Sequence, residues 1–158
     1  MKTTIFLGAM LSLLVCLMFT GCSNSETNST SRGLTDFAHI EEEYLATIDS
    51  LNWPDGITLP DKLEDEDTGA SFQVGYGETR ASYLWEYSWM KEWLDTYNTD
   101  PERAEKALEE LEKAFDMPYM GIDRCDDATR NYLRENIDKA KLGDPSGFTE
   151  SIRANYAN

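Results

Sequence analysis

In several segments after residue 33, apolar residues recur every three or four positions, which is the spacing of an amphipathic helix. The first segment of this kind has an apolar stripe made of Phe37, Ile40, Tyr44, Leu45, Ile48 and Leu51. Thr35 precedes the stripe as a candidate N-cap, and Pro54 lies shortly beyond it, where prolines often follow a helix. The pattern therefore predicts one helix between these two residues.

Three later segments combine the same spacing with clear helix boundaries. The first of them has Asp100 as its N-cap and Pro101 in its first turn, and Pro118 prevents its continuation. Its apolar stripe comprises Ala104, Ala107, Leu108, Leu111 and Phe115. We expect this segment to be an amphipathic helix with its charged side in water.

The other two segments complete the C-terminal part of the chain. A helix is predicted over about residues 127–142, with Gly143 as its C-terminal stop. Its inward residues are predicted to be Tyr132, Leu133, Ile137 and Ala140. A last helix starts at Asp144 and Pro145, and its inward residues are Phe148, Ile152 and Tyr156.

Two stretches lack helical spacing. Residues 52–69, "NWPDGITLPDKLEDEDTG", form a long connection rich in proline, glycine and acids. Residues 70–77, "ASFQVGYG", alternate enough for one short extended segment, for which no partner strand is visible. Together with a helix over about residues 78–97, this organisation predicts an all-α fold, a small helical bundle of about five helices with one long loop.

Residues 83–97 read "YLWEYSWMKEWLDTY" and hold three of the four tryptophans of the chain. On a helical wheel they form one apolar face about 160° wide, made of Tyr83, Tyr87, Trp89, Met90, Trp93, Leu94 and Tyr97. The opposite side carries Ser88, Lys91, Glu92 and Asp95. We interpret the face as the core of the bundle, and the alternative is a platform for a carbohydrate or a small apolar ligand.

Two residues of this helix break the pattern. Trp85 lies beside the apolar face, where it can meet the long loop, and Glu86 lies within the face. A buried carboxylate is costly unless it is hydrogen-bonded or paired, so Glu86 either accepts from Tyr or Trp groups or pairs with a cation. The candidate cations are Arg80, Arg124 and Arg130. The alternative is that Glu86 marks a ligand or proton-handling site. Trp85 and Trp53 are the other two candidates for binding a ligand or a partner.

The N-terminus carries the features of an export signal. Lys2 precedes an apolar run over residues 5–19, which is shorter than a membrane-spanning helix. The sequence "FTGC", residues 19–22, resembles the lipobox of bacterial lipoproteins. The resemblance implies cleavage before Cys22 and a diacylglyceryl group on its thiol. Secretory cleavage without lipid, or an uncleaved anchor, are the alternatives.

The stretch after Cys22 fits a tether. Residues 23–32 are small and polar, so they cannot bury themselves, and as a flexible coil they span roughly 17 Å on average. We therefore expect a signal peptide over residues 1–21, a lipidated cysteine and tether over residues 22–32, and one helical domain over residues 33–158. The expected location is the outer, extracytoplasmic face of the cell membrane, with the lipid on Cys22 as the attachment.

The charge of the chain restricts its partners. It has 30 acidic and 14 basic residues and a net charge of −16, which becomes −17 when the signal peptide takes Lys2 away. Such a chain gains nothing from counterion release on nucleic acid, so we expect no nucleic-acid partner. The same field attracts basic proteins, peptides and metal cations.

Motifs for catalysis, cofactors or metals are sparse. His39 is the one histidine and no nucleophile motif accompanies it. The acids Glu64, Asp65, Glu66 and Asp67 lack the spacing of a calcium loop, although loose calcium binding stays open. After export, Cys125 has no intramolecular partner, so its thiol is either buried or pairs between molecules. We expect no cofactor and no metal site.

Three segments, "WPDGITLP", "FQVGYGETRASYLWEYSWMKEWLDTY" and "LGDPSGF", resemble a group of small exported proteins and lipoproteins of actinobacteria. The resemblance runs from about residue 52 to residue 156, and its matching positions are Trp53, Pro54, residues 75–78, Ala81, Trp85, Trp89, Trp93 and residues 143–145. That group often has a cysteine in the Trp-rich helix, where this chain has Tyr87, and a second one near the C-terminus, where it has none. The resemblance implies export and no particular activity.

The sequence therefore predicts a non-enzymatic, membrane-anchored surface lipoprotein that binds a protein, a peptide or a cell-wall component. The alternative is a lipoprotein that binds a small apolar or carbohydrate ligand through the Trp-rich helix, with Glu86, Trp85 and Trp53 as its site residues. A third hypothesis is an enzyme that uses carboxylates such as Glu78 and Glu86.

Overall fold

Five α-helices account for most of the described residues, which confirms the prediction of a small helical bundle. A computed structural model describes residues 33–64 and 66–156, which fall within one compact unit. The helices are α1 Phe37–Ser50, α2 Tyr76–Thr96, α3 Pro101–Glu112, α4 Asp127–Lys141 and α5 Ser146–Asn155. The predicted signal peptide, Cys22, the predicted tether, Asp65 of the acidic loop and residues 157–158 lie outside the described residues.

A short antiparallel sheet corrects the prediction of a lone extended segment. Its strands are β1, Leu34–Thr35, and β2, Phe72–Gln73, and Thr35 lies opposite Phe72. Thr35 is therefore a strand residue, and the N-cap of α1 is Asp36, whose side chain accepts from the backbone N–H of His39 at 3.1 Å. The sequence pattern did not predict this pairing because β1 has only two residues and lies far from β2 along the chain.

The helix boundaries follow local capping. Asp100 accepts from the backbone N–H of Arg103 at 3.2 Å, and Asp126 accepts from that of Thr129 at 2.8 Å. Two short 3₁₀ helices, Lys113–Asp116 and Pro118–Met120, connect α3 towards α4. The predicted start of α5 at Asp144 and Pro145 is early, because the helix begins at Ser146 with Pro145 as its N-cap. The Asp144 side chain lies before the helix and accepts from the backbone N–H of Ser146 at 2.9 Å.

The core consists of two clusters that share α2. One packs Trp85, Trp89 and Trp93 of α2 against small and apolar residues of α3, α4 and α5, including Ala107, Leu133 and Phe148. The other packs α1 against Ala81 of α2 and Leu63 of the long loop. The apolar stripes predicted for α1, α3 and α5 point inward, and the prediction is wrong for Tyr132 of α4, which is 40 % exposed.

Helix α2 is buried on more sides than its wheel predicts. Ser82, Ser88 and Thr96 are all buried, although Ser88 was expected to face water. Their hydroxyl groups donate to backbone carbonyls one turn earlier, at 2.8, 2.7 and 2.6 Å. A hydroxyl satisfied inside its own helix can be buried without an external partner, which is why the polar pattern did not reveal this burial.

The "GYGE" turn, residues 75–78, brings α2 onto α1. The Glu43 carboxylate of α1 accepts the backbone N–H groups of Gly75 and Gly77, with its nearest oxygen at 2.8 and 3.2 Å, and so caps the start of α2. A Cβ atom at Gly77 would lie 1.8 Å from the Ile40 carbonyl oxygen. Gly75 has φ +87°, and a Cβ there would meet the Arg124 guanidinium group. Gly77 is therefore required by the helix crossing, and Gly75 by its left-handed backbone conformation.

Replacing Gly77 with alanine should force the two helices apart. We expect Gly77→Ala to lower the free energy of unfolding by at least about 2 kcal/mol, measured by urea unfolding followed by circular dichroism. The matched control is Gly69→Ala, where a new Cβ would lie 3.4 Å from its nearest neighbour, the Asp67 Oδ1 atom. That change should stay within about 0.5 kcal/mol of the wild type. Equal effects of the two variants would contradict the close crossing.

Candidate functional site

The structure places Trp85 in the core, not at an accessible surface. Its side chain is 1 % exposed, and its indole N–H donates to the Asn52 carbonyl oxygen at 2.8 Å. The indole of Trp89 donates to the same oxygen at 3.2 Å. Trp85 contacts the start of the long loop, as expected. Because its side chain is buried, it offers no surface that a ligand could contact.

Trp53 also has a structural position. Its indole N–H donates to the Ile48 carbonyl oxygen at 2.9 Å, near the end of α1, and its partly buried ring packs against both core clusters. Neither Trp53 nor Trp85 lines the cavity that contains Glu86. The three candidate residues are therefore not brought together, and Glu86 is the one that opens towards a cavity.

The Glu86 cavity lies between α2, α4 and α5 and has a volume of about 390 Å³. Residues from four separate segments line it: Tyr83, Glu86, Met120, Thr129, Tyr132, Leu133, Ser151, Asn155 and Tyr156. Tyr83 and Tyr132 are 41 % and 40 % exposed and belong to its rim, whereas Glu86 is 7 % exposed and belongs to its floor. The cavity thus has a lining of aromatic, apolar, hydroxyl and amide side chains, with one carboxyl group at its base.

Glu86 is held by one hydrogen bond. The Tyr119 hydroxyl donates to the Glu86 Oε2 atom at 2.7 Å, and within residues 33–64 and 66–156 the Oε1 atom has no donor. The prediction of a tyrosine partner is confirmed, and the alternative of an arginine partner is wrong. The three arginines form salt bridges with other acids. Their partners are Glu66 for Arg80, Glu78 for Arg124 and Asp127 for Arg130.

Burial dominates the electrostatics of the site. Loss of water raises the pKa of Glu86 to about 7, while the hydrogen bond from Tyr119 acts in the opposite direction. Burial and the nearby Glu86 charge raise the pKa values of Tyr83, Tyr119 and Tyr156 above the ordinary range. The site therefore combines neutral phenols with a carboxyl group that holds its proton to a higher pH than an exposed glutamate does.

Ring contacts hold the tyrosines in place. The rings of Tyr83 and Tyr119 meet edge to face with centroids 5.6 Å apart, and those of Tyr87 and Tyr156 lie 4.9 Å apart. Sequence reasoning missed Tyr119, Tyr132 and Tyr156 as site residues, together with Ser151 and Asn155. The helical spacing assigns Tyr156 to the core, and no sequence signal shows that Tyr132, Ser151, Asn155 and Tyr156 line one cavity or that Tyr119 bonds to Glu86.

The other candidate residues have internal partners. Glu78 is paired with Arg124 at 2.9 Å, and Glu66 of the acidic loop accepts from the Tyr76 hydroxyl at 2.8 Å. His39 lies 3.3 Å from Glu43. In the part of the chain that the structure describes, no three His, Cys, Asp or Glu residues are grouped as a metal ion would require.

Cys125 lies next to the cavity residue Met120, with its Sγ atom 3.5 Å from the Met120 Sδ atom. The thiol is partly buried and unpaired, and burial raises its pKa. It is therefore a protonated thiol at neutral pH, which is a poor nucleophile.

Two larger concavities lack a comparable group. One of about 510 Å³ lies between α3 and α4, where Glu112 is paired with Lys141 at the surface. Another of about 440 Å³ lies at the "GYGE" turn, where Glu43 caps α2 and Glu78 is paired with Arg124. The chemistry of the Glu86 cavity, rather than its size, makes it the candidate site.

Comparisons with known proteins do not assign the chain to a family. No protein-family model matches it, and neither the curated proteins nor the solved structures contain a match. Among the described helices, none has the length and apolar character needed to span a membrane.

The buried carboxyl group predicts a specific dependence of stability on pH. The folded protein holds the Glu86 proton up to about pH 7, whereas an unfolded chain loses it near pH 4.5. Between these values the folded state binds more protons, so this group makes the free energy of unfolding fall as pH rises. We expect the stability of the wild type to fall relative to Glu86→Gln by about 3 kcal/mol between pH 4.5 and pH 8.

Urea unfolding of both proteins at several pH values measures this difference. Glu135→Gln removes an exposed acid of α4 and is the matched control, which should keep the pH dependence of the wild type. A constant difference between the wild type and Glu86→Gln over this range would show that Glu86 titrates as an ordinary carboxyl group.

Proposed function

We propose that this chain is a lipid-anchored extracytoplasmic binding protein whose binding site for a small molecule is the Glu86 cavity. The observation that carries the proposal is Glu86 itself. It is 7 % exposed, it receives a single hydrogen bond, and it lies at the base of a cavity of about 390 Å³. Its Oε1 atom receives no hydrogen bond from the described residues and is not among the fully buried unpaired atoms, so it faces the cavity. A largely buried carboxylate is costly when it is ionised, and a bound ligand with a donor would offset that cost.

The shape of the site favours a small molecule over a protein surface. A flat partner could cover the exposed rings of Tyr83 and Tyr132, but Glu86 lies too deep for such a partner to reach it. The volume is within the range of small-ligand pockets, and a mixture of aromatic rings, hydroxyl groups and one ionisable group is typical of their lining. A protein or peptide partner remains the second proposal, with the rim as its contact.

Catalysis has less support from the lining. Among the described residues around the cavity, Glu86 is the one carboxyl group, and carboxylate-dependent hydrolysis of glycosides uses a pair. Glu78, the other acid considered, is engaged with Arg124 in a different part of the molecule. The proposed role is therefore binding without chemical change of the ligand.

The anchoring part of the proposal rests on the N-terminal sequence. The apolar run, the "FTGC" sequence and the polar stretch after Cys22 together indicate an exported domain held near the membrane by lipid. A net charge of −16 makes direct adsorption to anionic lipids unfavourable, so acyl chains would supply the attachment.

Replacing Cys22 tests the anchor. In a bacterial host, we expect the full-length wild type to partition into the detergent phase and Cys22→Ser to partition into the aqueous phase, because the serine cannot receive the thioether-linked lipid. Intact-mass measurement of the wild type should show an N-terminal cysteine carrying acyl groups. Cys125→Ser is the matched control and should keep both properties. An unmodified Cys22 in the exported wild type would contradict lipidation.

Filling the cavity tests the binding site. We expect polar aromatic fragments, screened as a set of amines, alcohols, carboxylates and sugars, to shift the amide NMR signals of Tyr83, Glu86 and Ser151 in the soluble domain of residues 33–158. Thr129→Phe, placed in the lining of the cavity, should weaken this binding at least tenfold. Ala128→Phe adds the same side chain to the neighbouring exposed position and should leave binding unchanged.

Two results would contradict the binding site. The first is a fragment set that shifts no signal of the cavity lining. The second is equal binding to Thr129→Phe and Ala128→Phe, which would place the contact outside the Glu86 cavity.

A further inference from the structure

We propose that the ligand of the Glu86 cavity is an organic cation, an ammonium group attached to a small apolar body. The inference rests on the proposed function, because it names the chemical class of the molecule that this cavity binds. It follows from the charge at the base of the cavity, the nature of its walls and its limited volume.

The base of the cavity lacks a positive partner. Glu86 accepts one hydrogen bond, from Tyr119, and its Oε1 atom has no donor among the described residues. Arg130 of α4 is already engaged, since its guanidinium group donates to Asp127 and to the carbonyl oxygens of Met120 and Cys125. A ligand ammonium group would supply both the missing charge and the missing donor.

The walls favour a cation over other ligands. Tyr83, Tyr132 and Tyr156 contribute aromatic rings, and the negative faces of such rings attract ammonium groups. No Lys, Arg or His is found among the described residues that line the cavity. An anionic ligand would therefore meet an acid with no compensating base.

The remaining lining fits the rest of such a ligand. Met120 and Leu133 offer apolar contact for its body, and the hydroxyl and amide groups of Ser151 and Asn155 can accept from N–H groups. A volume of about 390 Å³ limits the ligand to a small molecule. The net charge of −16 adds a long-range attraction for cations and a repulsion for anions.

Binding of a cation should be coupled to a proton. The titratable groups around Glu86 on the neighbouring segments are the phenols of Tyr83, Tyr119, Tyr132 and Tyr156 and the thiol of Cys125. None of these groups is basic, so the charge of the site depends on Glu86. Because burial raises the pKa of Glu86 to about 7, a cation that binds the ionised form displaces a proton below that pH.

Three probes of matched size distinguish the ligand classes, namely phenethylamine as the cation, 2-phenylethanol as the neutral analogue and phenylacetate as the anion. Titration calorimetry on the soluble domain should show phenethylamine binding at least tenfold more tightly than 2-phenylethanol, and no binding of phenylacetate. The affinity for phenethylamine should rise about thirtyfold between pH 5.5 and pH 8 as Glu86 ionises. Buffers of different ionisation enthalpy should report the released proton.

Two variants identify the group responsible. Glu86→Gln should lose at least tenfold in affinity for phenethylamine and keep its affinity for 2-phenylethanol, because only the cation uses the charge. Glu135→Gln, which changes the net charge equally on the exposed side of α4, should leave both affinities unchanged. A thermal melt of each variant checks that the domain is folded.

The outcomes separate the two proposals. Equal or tighter binding of 2-phenylethanol, or a preference for phenethylamine that survives in Glu86→Gln, would overturn the organic-cation assignment and leave the small-molecule site standing. Failure of all three probes to bind would also overturn the organic-cation assignment. The fragment screen would then show whether the cavity binds small molecules at all. If that screen also shifts no cavity signal, both proposals are wrong.

Discussion

The close crossing of α1 and α2 at Gly77 is the contact on which the rest of the structure depends. Because Gly77 has no side chain, α2 can lie against the Ile40 carbonyl group of α1, and the Glu43 carboxylate can cap the exposed N–H groups at the start of α2. This arrangement covers one side of α2 with α1 and leaves its other sides to α3 and to the C-terminal helices. A helix surrounded in this way must satisfy its polar groups internally, and the serines and Thr96 do so through carbonyls of the same helix.

The same geometry divides the aromatic residues of α2 into two groups. The tryptophans are core residues that pack against α3, α4 and α5, and Trp85 and Trp89 share the Asn52 carbonyl oxygen as their acceptor. Around the cavity between α2, α4 and α5, tyrosines surround Glu86, whose one hydrogen bond comes from Tyr119. The tryptophans thus stabilise the fold, while the tyrosines and Glu86 form the part of the molecule that is costly to the fold and suited to a ligand.

An acidic group at the base of an aromatic cavity also links stability, pH and binding. When Glu86 is protonated, its burial costs little stability. When it is ionised, its burial lowers the stability of the empty domain, and under our proposal the cavity gains affinity for a positive group. If the domain is held just outside a membrane, its proposed ligand would be captured or released according to the pH at that surface.

The amino-acid sequence by itself determined the helical class, the inward stripes of α1, α3 and α5, and the burial of Glu86, because these follow from local spacing and capping. It also indicated that Glu86 could be held by a tyrosine. Only the tertiary structure decided that Tyr119 is the tyrosine that bonds to Glu86 and that β1 pairs with β2. It also decided that Trp85 and Ser88 are buried and that Tyr132 lies at the rim of a cavity. The physical reason is that these features depend on contacts between segments far apart in the chain. The spacing of apolar residues shows which face of a helix is buried, but not which other segment covers that face.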